Sequence, residues 1–469
     1  MKGKVGKGLI AVVALVAAVA AIAARAQTLG MVVDNAQHKV VVFNADTDSV
    51  LGSVQIGAGE VTGDCSVTGD QSLGFATDFN SRVWVIDLTT TPPSLAAGTN
   101  PIIISNRSED TALSPDQEFL LVCDGSFVEP ISVIDIATRT QIGTFPLGTN
   151  RDCNSVDVCS DGSVLVTSNN TGAVRRLTLD ANGNLTNTGE VLGTGGTGNF
   201  GPNNVVCAPG GGAGIEVSRG LREIRSFTIP GLALVNLRVL TGTGFGISSE
   251  INPAGDRAFV RSNSGAVDAY GFDSTTAALS AVPLFTIPIA NTDTFFGIDQ
   301  IALHPSGEKL YVSQPNALKV YDAASGALLT SITHPDIITP IGVCLPKGGP
   351  VVQTVAIDIK PDSSQNTINL GSAGIVPVAI LSSAEFDATS IDPETITLAG
   401  APVQKVGKNN KPLCHAADVN LDGQLDLFCQ VVTAQLNLQA GDTTAVLEGQ
   451  TFDATPIRGE DSVRLVPKK

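Results

Sequence analysis

A three-residue tag recurs at the end of an apolar segment through most of the chain. Its copies are Thr68-Gly69-Asp70, Ser114-Pro115-Asp116, Cys159-Ser160-Asp161, Ala208-Pro209-Gly210, Asn252-Pro253-Ala254, His304-Pro305-Ser306 and Leu345-Pro346-Lys347. Counted from the last residue of each, the steps are 46, 45, 49, 44, 52 and 41 residues. After each of the first six tags comes a second apolar run, such as Phe119 to Cys123, Val164 to Ser168 or Lys309 to Ser313. A third run follows and usually closes on an acid, as in Val83 to Asp87, Ile131 to Asp135 and Leu318 to Asp322. A fourth, such as Gln141 to Leu147 or Leu328 to Ile332, completes the unit. Helical periodicity is absent here, so every run is short and at strand spacing.

Four short strands per unit, separated by turn residues, is the pattern of a β-propeller blade. The two ends of the array complement each other. Met31 to Asp34, Lys39 to Asn44 and Ser49 to Ile56 supply a second, third and fourth strand without a first. Ile341 to Pro346 supplies a first strand with nothing after it. Joined, they make one more blade, seven in all, and the closure removes the sheet edges of an open array. The expected architecture is all-β: a seven-bladed β-propeller over 27–347, closed by N- and C-terminal strands. A linker at 348–352 and a small C-terminal β-sandwich over 353–469 follow.

Two stretches carry a family resemblance. Ser114-Pro115-Asp116 with Ile131 to Phe145, and His304-Pro305-Ser306 through Ser313, resemble the YVTN-type β-propeller repeat. The resemblance is close in those two blades and degenerate around 173–240. It implies a seven-bladed ring in an extracytoplasmic or cell-surface protein, and some structural relatives of such rings are lactonases. The segment Ile357 to Ser382, with Phe386-Asp387-Ala388-Thr389 and Thr451 to Pro456, is similar to a β module found C-terminally in exported bacterial proteins.

Composition narrows the partners. The 469 residues include 45 acidic and 28 basic side chains, a formal charge of −17. No Lys/Arg cluster exists to neutralise phosphates, so nucleic acid is excluded as a partner. Lys2, Lys4 and Lys7, the 16-residue apolar run Leu9 to Ala24 and the small residues of Ala24-Arg25-Ala26 have the layout of a cleaved signal peptide over 1–26. Sixteen residues fall short of the ~20 that span a bilayer. The expected product is exported (periplasmic, cell-surface or secreted), has no membrane span and is monomeric. Its 24 basic and 45 acidic residues leave a charge of −21.

Eight cysteines fit an oxidising compartment: Cys65, Cys123, Cys153, Cys159, Cys207, Cys344, Cys414 and Cys429. Cys414 and Cys429 are isolated in the C-terminal part, so they are expected to pair. The connectivity of the other six stays open, with buried free thiols as the alternative. No C-x-x-C occurs, which excludes covalent haem attachment and a thioredoxin-type dithiol.

The sharpest chemical motif is Asp418-Val419-Asn420-Leu421-Asp422-Gly423-Gln424-Leu425-Asp426, or D-x-N-x-D-G-x-x-D. Oxygens at alternate positions, a glycine for the sharp turn, the Gln424 carbonyl and a closing acid suit a hard cation, calcium in a structural role. The twelfth position is Cys429, so the loop is not an EF-hand. It more nearly resembles the short calcium loops of thrombospondin-type or integrin-type repeats.

Other motifs carry less. Gly193 to Gly198 matches G-x-G-x-x-G without a strand-to-helix context and reads as an interblade loop. His38, His304, His334 and His415 lack ligand spacing, and no G-x-S-x-G exists for a nucleophile elbow. Asp70, Asp116 and Asp161 read as turn-formers. Asn106, Asn169 and Asn184 head N-x-S/T sequons. The expected function is binding or scaffolding, with a protein, glycan or small ligand at a propeller face. The alternative is a lactonase-type hydrolase, which needs two or more acids or a histidine converging at one mouth of the ring.

Overall fold

Strands buried on both faces read as unbroken apolar runs, and strands at a rim alternate. The chain uses both kinds. Ser163–Ser168 and Ala213–Ser218 are buried at every position, whereas Thr140–Pro146 alternates between exposed and half-buried. This computed structural model describes residues 27–466 apart from short stretches, of which 124–129, 291–299 and 348–352 are the longest. The expected signal peptide over 1–26, the expected linker at 348–352 and Asn106 lie outside the described residues. Among the described residues, helical structure is limited to the single turns Ala388–Ser390 and Thr433–Gln435.

From residue 29 to 344 the strands form successive antiparallel sheets, each starting on an inner strand and ending on an outer one. Asp110–Leu113, Phe119–Cys123, Pro130–Asp135 and Thr140–Pro146 make one such sheet, and Ser155–Val158 opens the next. The terminal sheet differs. Its outer three strands are Leu29–Asp34, Lys39–Asn44 and Ser49–Gln55, and its inner strand is Pro340–Cys344. Val32 faces Val343 in the antiparallel register that joins the two ends.

Packing follows the same succession. Leu121, Val133, Val156 and Val166 share a core between two consecutive sheets, as do Ile215, Ile224, Val260 and Tyr270 between two others. Val32, Phe43, Tyr311 and Val320 form the equivalent core between the 301–332 sheet and the terminal one. The turn at 45–48 is pinned across this junction: Tyr311 donates to Asp48 at 2.8 Å, and Lys309 Nζ lies 2.8 Å from the same carboxylate.

All eight described cysteines are paired. Three bridges join consecutive sheets: Cys65–Cys344, Cys123–Cys153 and Cys159–Cys207. Cys414–Cys429 is the fourth, between strands Cys414–Ala417 and Asp426–Val432, where the two residues face each other in register. The C-terminal residues form two larger sheets, one centred on Thr444–Thr451 and one on Ile375–Ile380, with a single core that includes Val378, Leu398, Val431 and Leu447.

If the terminal sheet needs its borrowed inner strand, a fragment spanning 27–335 loses cooperative unfolding while 27–349 keeps it. Urea titrations followed by Trp84 fluorescence check this. Coincident transitions for the two fragments refute it.

Candidate functional site

An inner strand is an edge strand in the interior, so the N–H groups on its open side need partners from elsewhere. At five of the seven tags, the side chain four places ahead bonds the neighbouring inner strand or the residue that leads into it. Asp64, Asp110, Ser155, Asn204 and Ser248 occupy that place and are all buried. Asp64 accepts from the Thr111 hydroxyl. Asp110 accepts from the Val156 N–H at 2.8 Å, and Ser155 Oγ from the Val205 N–H at 3.3 Å. Asn204 Oδ1 accepts from the Ser249 N–H at 2.9 Å, and Ser248 Oγ from the Gln300 N–H at 3.2 Å. Asp157 does the same for the Cys207 N–H at 2.8 Å. This column escapes the motifs read along the sequence, although its spacing from the tag is legible there.

The acids where inner strands begin and second strands end are also engaged. Asp34 accepts from the N–H groups of Gln37, Ile338 and Thr339 at 2.9, 2.6 and 2.6 Å. Asp78 holds Arg82 Nε at 2.7 Å and Trp84 Nε1 at 2.9 Å. Asp152 accepts from the Ser168 hydroxyl and the Asn170 N–H at 2.7 and 3.0 Å. Beside them, Asn169 donates to Asn154 Oδ1, and Asn154 donates to the Asn203 carbonyl, both at 2.6 Å. Buried and bonded, Asn169 is closed to glycosylation, whereas Asn184 is exposed. Burial pulls the Arg219 guanidinium down, and the charge of Glu109, from another sheet, opposes that.

Two clusters carry titratable groups away from these acids. His304 replaces the Ser or Thr of other tags and bonds Ser306 Oγ at 2.8 Å and Asp46 at 3.2 Å. Burial lowers its pKa and Asp46 resists. Thr68–Asp70 and Ser114–Asp116 make the same turn bond, so His304 acts as a turn cap. Glu216 is wholly buried between Ser218, which donates at 2.7 Å, and Arg225 Nη1 at 3.1 Å. Burial pushes its carboxyl up to about 7 against the pull of Arg225.

The acidic loop lies at one end of strand Asp426–Val432. Asp418 accepts from the N–H groups of Asp422 and Gly423 at 3.1 and 3.0 Å, and Asp422 from Gln424 at 2.8 Å. That last bond, the largest influence on Asp422, lowers its pKa. Leu421 and Gly423 take φ of 60° and 89°, left-handed values that curl the loop and that Gly423 adopts without strain. Asn420 Nδ2 lies 2.9 Å from Asp422 Oδ2. Asp426 instead turns inward, fully buried, and accepts from Ser382 and Val419 N–H groups at 2.8 Å each. Among the described residues, no group of three or more His, Cys, Asp or Glu is placed to hold a metal. His415 packs on the Phe428 ring, 5.3 Å between centroids. Gly193 ends an outer strand, Leu185–Gly193, with no helix after it in the described residues.

No family model matches the sequence, and no curated protein matches it. Solved structures do. A protein of unknown function from Desulfotomaculum acetoxidans DSM 771 superposes with a TM-score of 0.59 at 21% identity, covering 68% of this chain and 100% of that one. The periplasmic gluconolactonase of Pseudomonas aeruginosa superposes with a TM-score of 0.53 at 13% identity, covering 68% and 99%. At such identities the likeness is one of fold, and that fold is a β-propeller.

Glu216 makes stability depend on pH. In the unfolded chain a glutamate loses its proton near 4.3. In the fold Glu216 keeps it to about 7. The folded state therefore binds more protons between those values, and stability falls as pH rises through the window, by at most about 4 kcal/mol. Urea unfolding of the full chain and of Glu216→Gln across this range checks it. The variant is expected to have the flatter profile.

Proposed function

We propose that the chain is an exported, seven-bladed propeller that binds a partner protein, glycan or small ligand through one face of the ring. A calcium-stiffened β-sandwich follows it. The observation that carries binding over hydrolysis is the engagement of Asp34, Asp78, Asp110 and Asp152. Each carboxylate accepts hydrogen bonds from this chain's own backbone or side chains, and these acids hold neighbouring segments together. A general acid or nucleophile has to be free to meet substrate. Export is supported by four disulfides, which persist in oxidising compartments. Among the described residues, no helix is long and apolar enough to cross a membrane.

The lactonase reading is favoured by one observation, the fold shared with a gluconolactonase. Glucono-δ-lactone separates the two. The binding reading expects the full chain to leave its hydrolysis at the buffer rate. A faster rate that Asp152→Asn abolishes replaces binding with catalysis.

In the C-terminal part, calcium takes the Asp418, Asn420 and Asp422 side chains, the Gln424 carbonyl and a free lone pair of Asp426. The fit rests on hard oxygen donors gathered by the curled backbone, and the ion's role is to hold the loop shut. Bound only by the folded form, it adds about 2.7 kcal/mol at a hundredfold excess over its dissociation constant. The C-terminal transition of the full chain therefore melts higher in calcium than in chelator, and Asp422→Ala removes the difference. Identical melts with no heat of binding in a calcium titration dismiss the site.

A further inference from the structure

Outer strands are the ring's exposed sheet edges, and an open edge is a template for another strand. Most are blunted here. Gly52, in the outer strand of the terminal sheet, lies against Pro92 and Pro93 of the next. Thr140–Pro146 and Phe285–Pro288 end in proline, and Leu185–Gly193 carries Glu190 and a left-handed Gly189. Ser94–Leu95 and Ile102–Ile103 are only two residues each.

Leu234–Val239 is less protected, although Arg238 Nη1 donates to the Leu237 carbonyl at 2.9 Å. It is six residues long, without proline, glycine or an acid, and it pairs only with Glu223–Thr228. Leu234, Val235, Leu237 and Val239 are exposed, Val239 by 58%. Asn236 and Arg238 bond the Leu279–Ser280 segment of the next sheet, which brings exposed Val282 and Leu284 close to the same rim. Contiguous apolar exposure of this kind marks an interface.

Charge selects the occupant. Residues 201–290, the two sheets that carry this rim, hold six basic and six acidic residues. The rest of 27–347 holds ten basic and 25 acidic. Two copies of the chain repel each other through the acidic part of the ring and meet without like-charge cost through this neutral one. Leu328–Ile332 is the other unblunted edge, but its sheet and the terminal sheet after it, 301–332 with 29–55, hold five acidic residues against three basic. We propose that Leu234–Val239 pairs antiparallel with the same strand of a second copy about a twofold axis. Two propellers then join through one continuous sheet, a self-complementary contact of the kind a twofold dimer requires. A dimer departs from the monomer expected from the sequence.

Sedimentation velocity of the full mature chain over a concentration series tests it, with Leu237→Lys and Leu328→Lys measured beside it. The expected result is a dimer whose dissociation midpoint Leu237→Lys raises by at least about tenfold, or ~1.4 kcal/mol. Leu328→Lys leaves the midpoint unchanged. Thermal melts of both variants matching the parent show that folding is not the cause. A parent that stays monomeric throughout overturns the proposal. So does a folded Leu237→Lys that dimerises as before, or an equal loss in Leu328→Lys.

Discussion

The antiparallel pairing of Pro340–Cys344 with Leu29–Asp34 is the contact on which the rest of the propeller depends. Each sheet packs on its neighbours, so a sheet lacking its inner strand would expose two flanking cores. Nearly the whole length of the propeller separates the two partners, and ordering that much chain is costly. The structure offsets the cost locally. Cys65–Cys344 ties the borrowed strand to the next inner strand. Asp34 gathers Ile338 and Thr339, and Lys309 and Tyr311 clamp the 45–48 turn. Backbone pairing, a covalent bond and the carboxylates of Asp34 and Asp48 thus converge on one seam.

Carboxylates do structural work elsewhere as well. A buried acid that accepts backbone N–H bonds positions the strand that donates. Asp110 and Asp157 tie inner strand to inner strand in this way, where other sheets use Ser155, Asn204 or Ser248. The shared need is an acceptor of small size, which is why this column varies among Asp, Ser and Asn. Glu216 is the exception: burial outweighs its Arg225 partner and favours the neutral acid.

The acidic loop shows how far a pattern read along the chain reaches. Asp418, Asn420 and Asp422 share one curled segment, as their alternation implies. Asp426 has a second task in the same place, since it caps Ser382 and Val419 from inside the module. Spacing announces which oxygens are near in sequence, and not which backbone donors the fold brings to them.

The repeat of tags, the strand order within each unit and the shared terminal sheet were legible in the sequence, because β-branched runs and turn residues impose a local period. Asp70, Asp116 and Asp161 were readable as turn-formers for the same reason, since their partners lie within a few residues. The pairing of six cysteines, the sideways bonds of Asp64 and Asp110 and the burial of Asn169 were not. Their partners sit about 45 residues or more away for the column and up to 279 for the cysteines. For Asn169 the deciding neighbour is Asn154 across a buried strand pair. Local periodicity determines which strands form. Only the packing of sheet on sheet decides which polar groups meet, because the period sets the strands one repeat apart without saying which side chains of neighbouring repeats come within bonding distance.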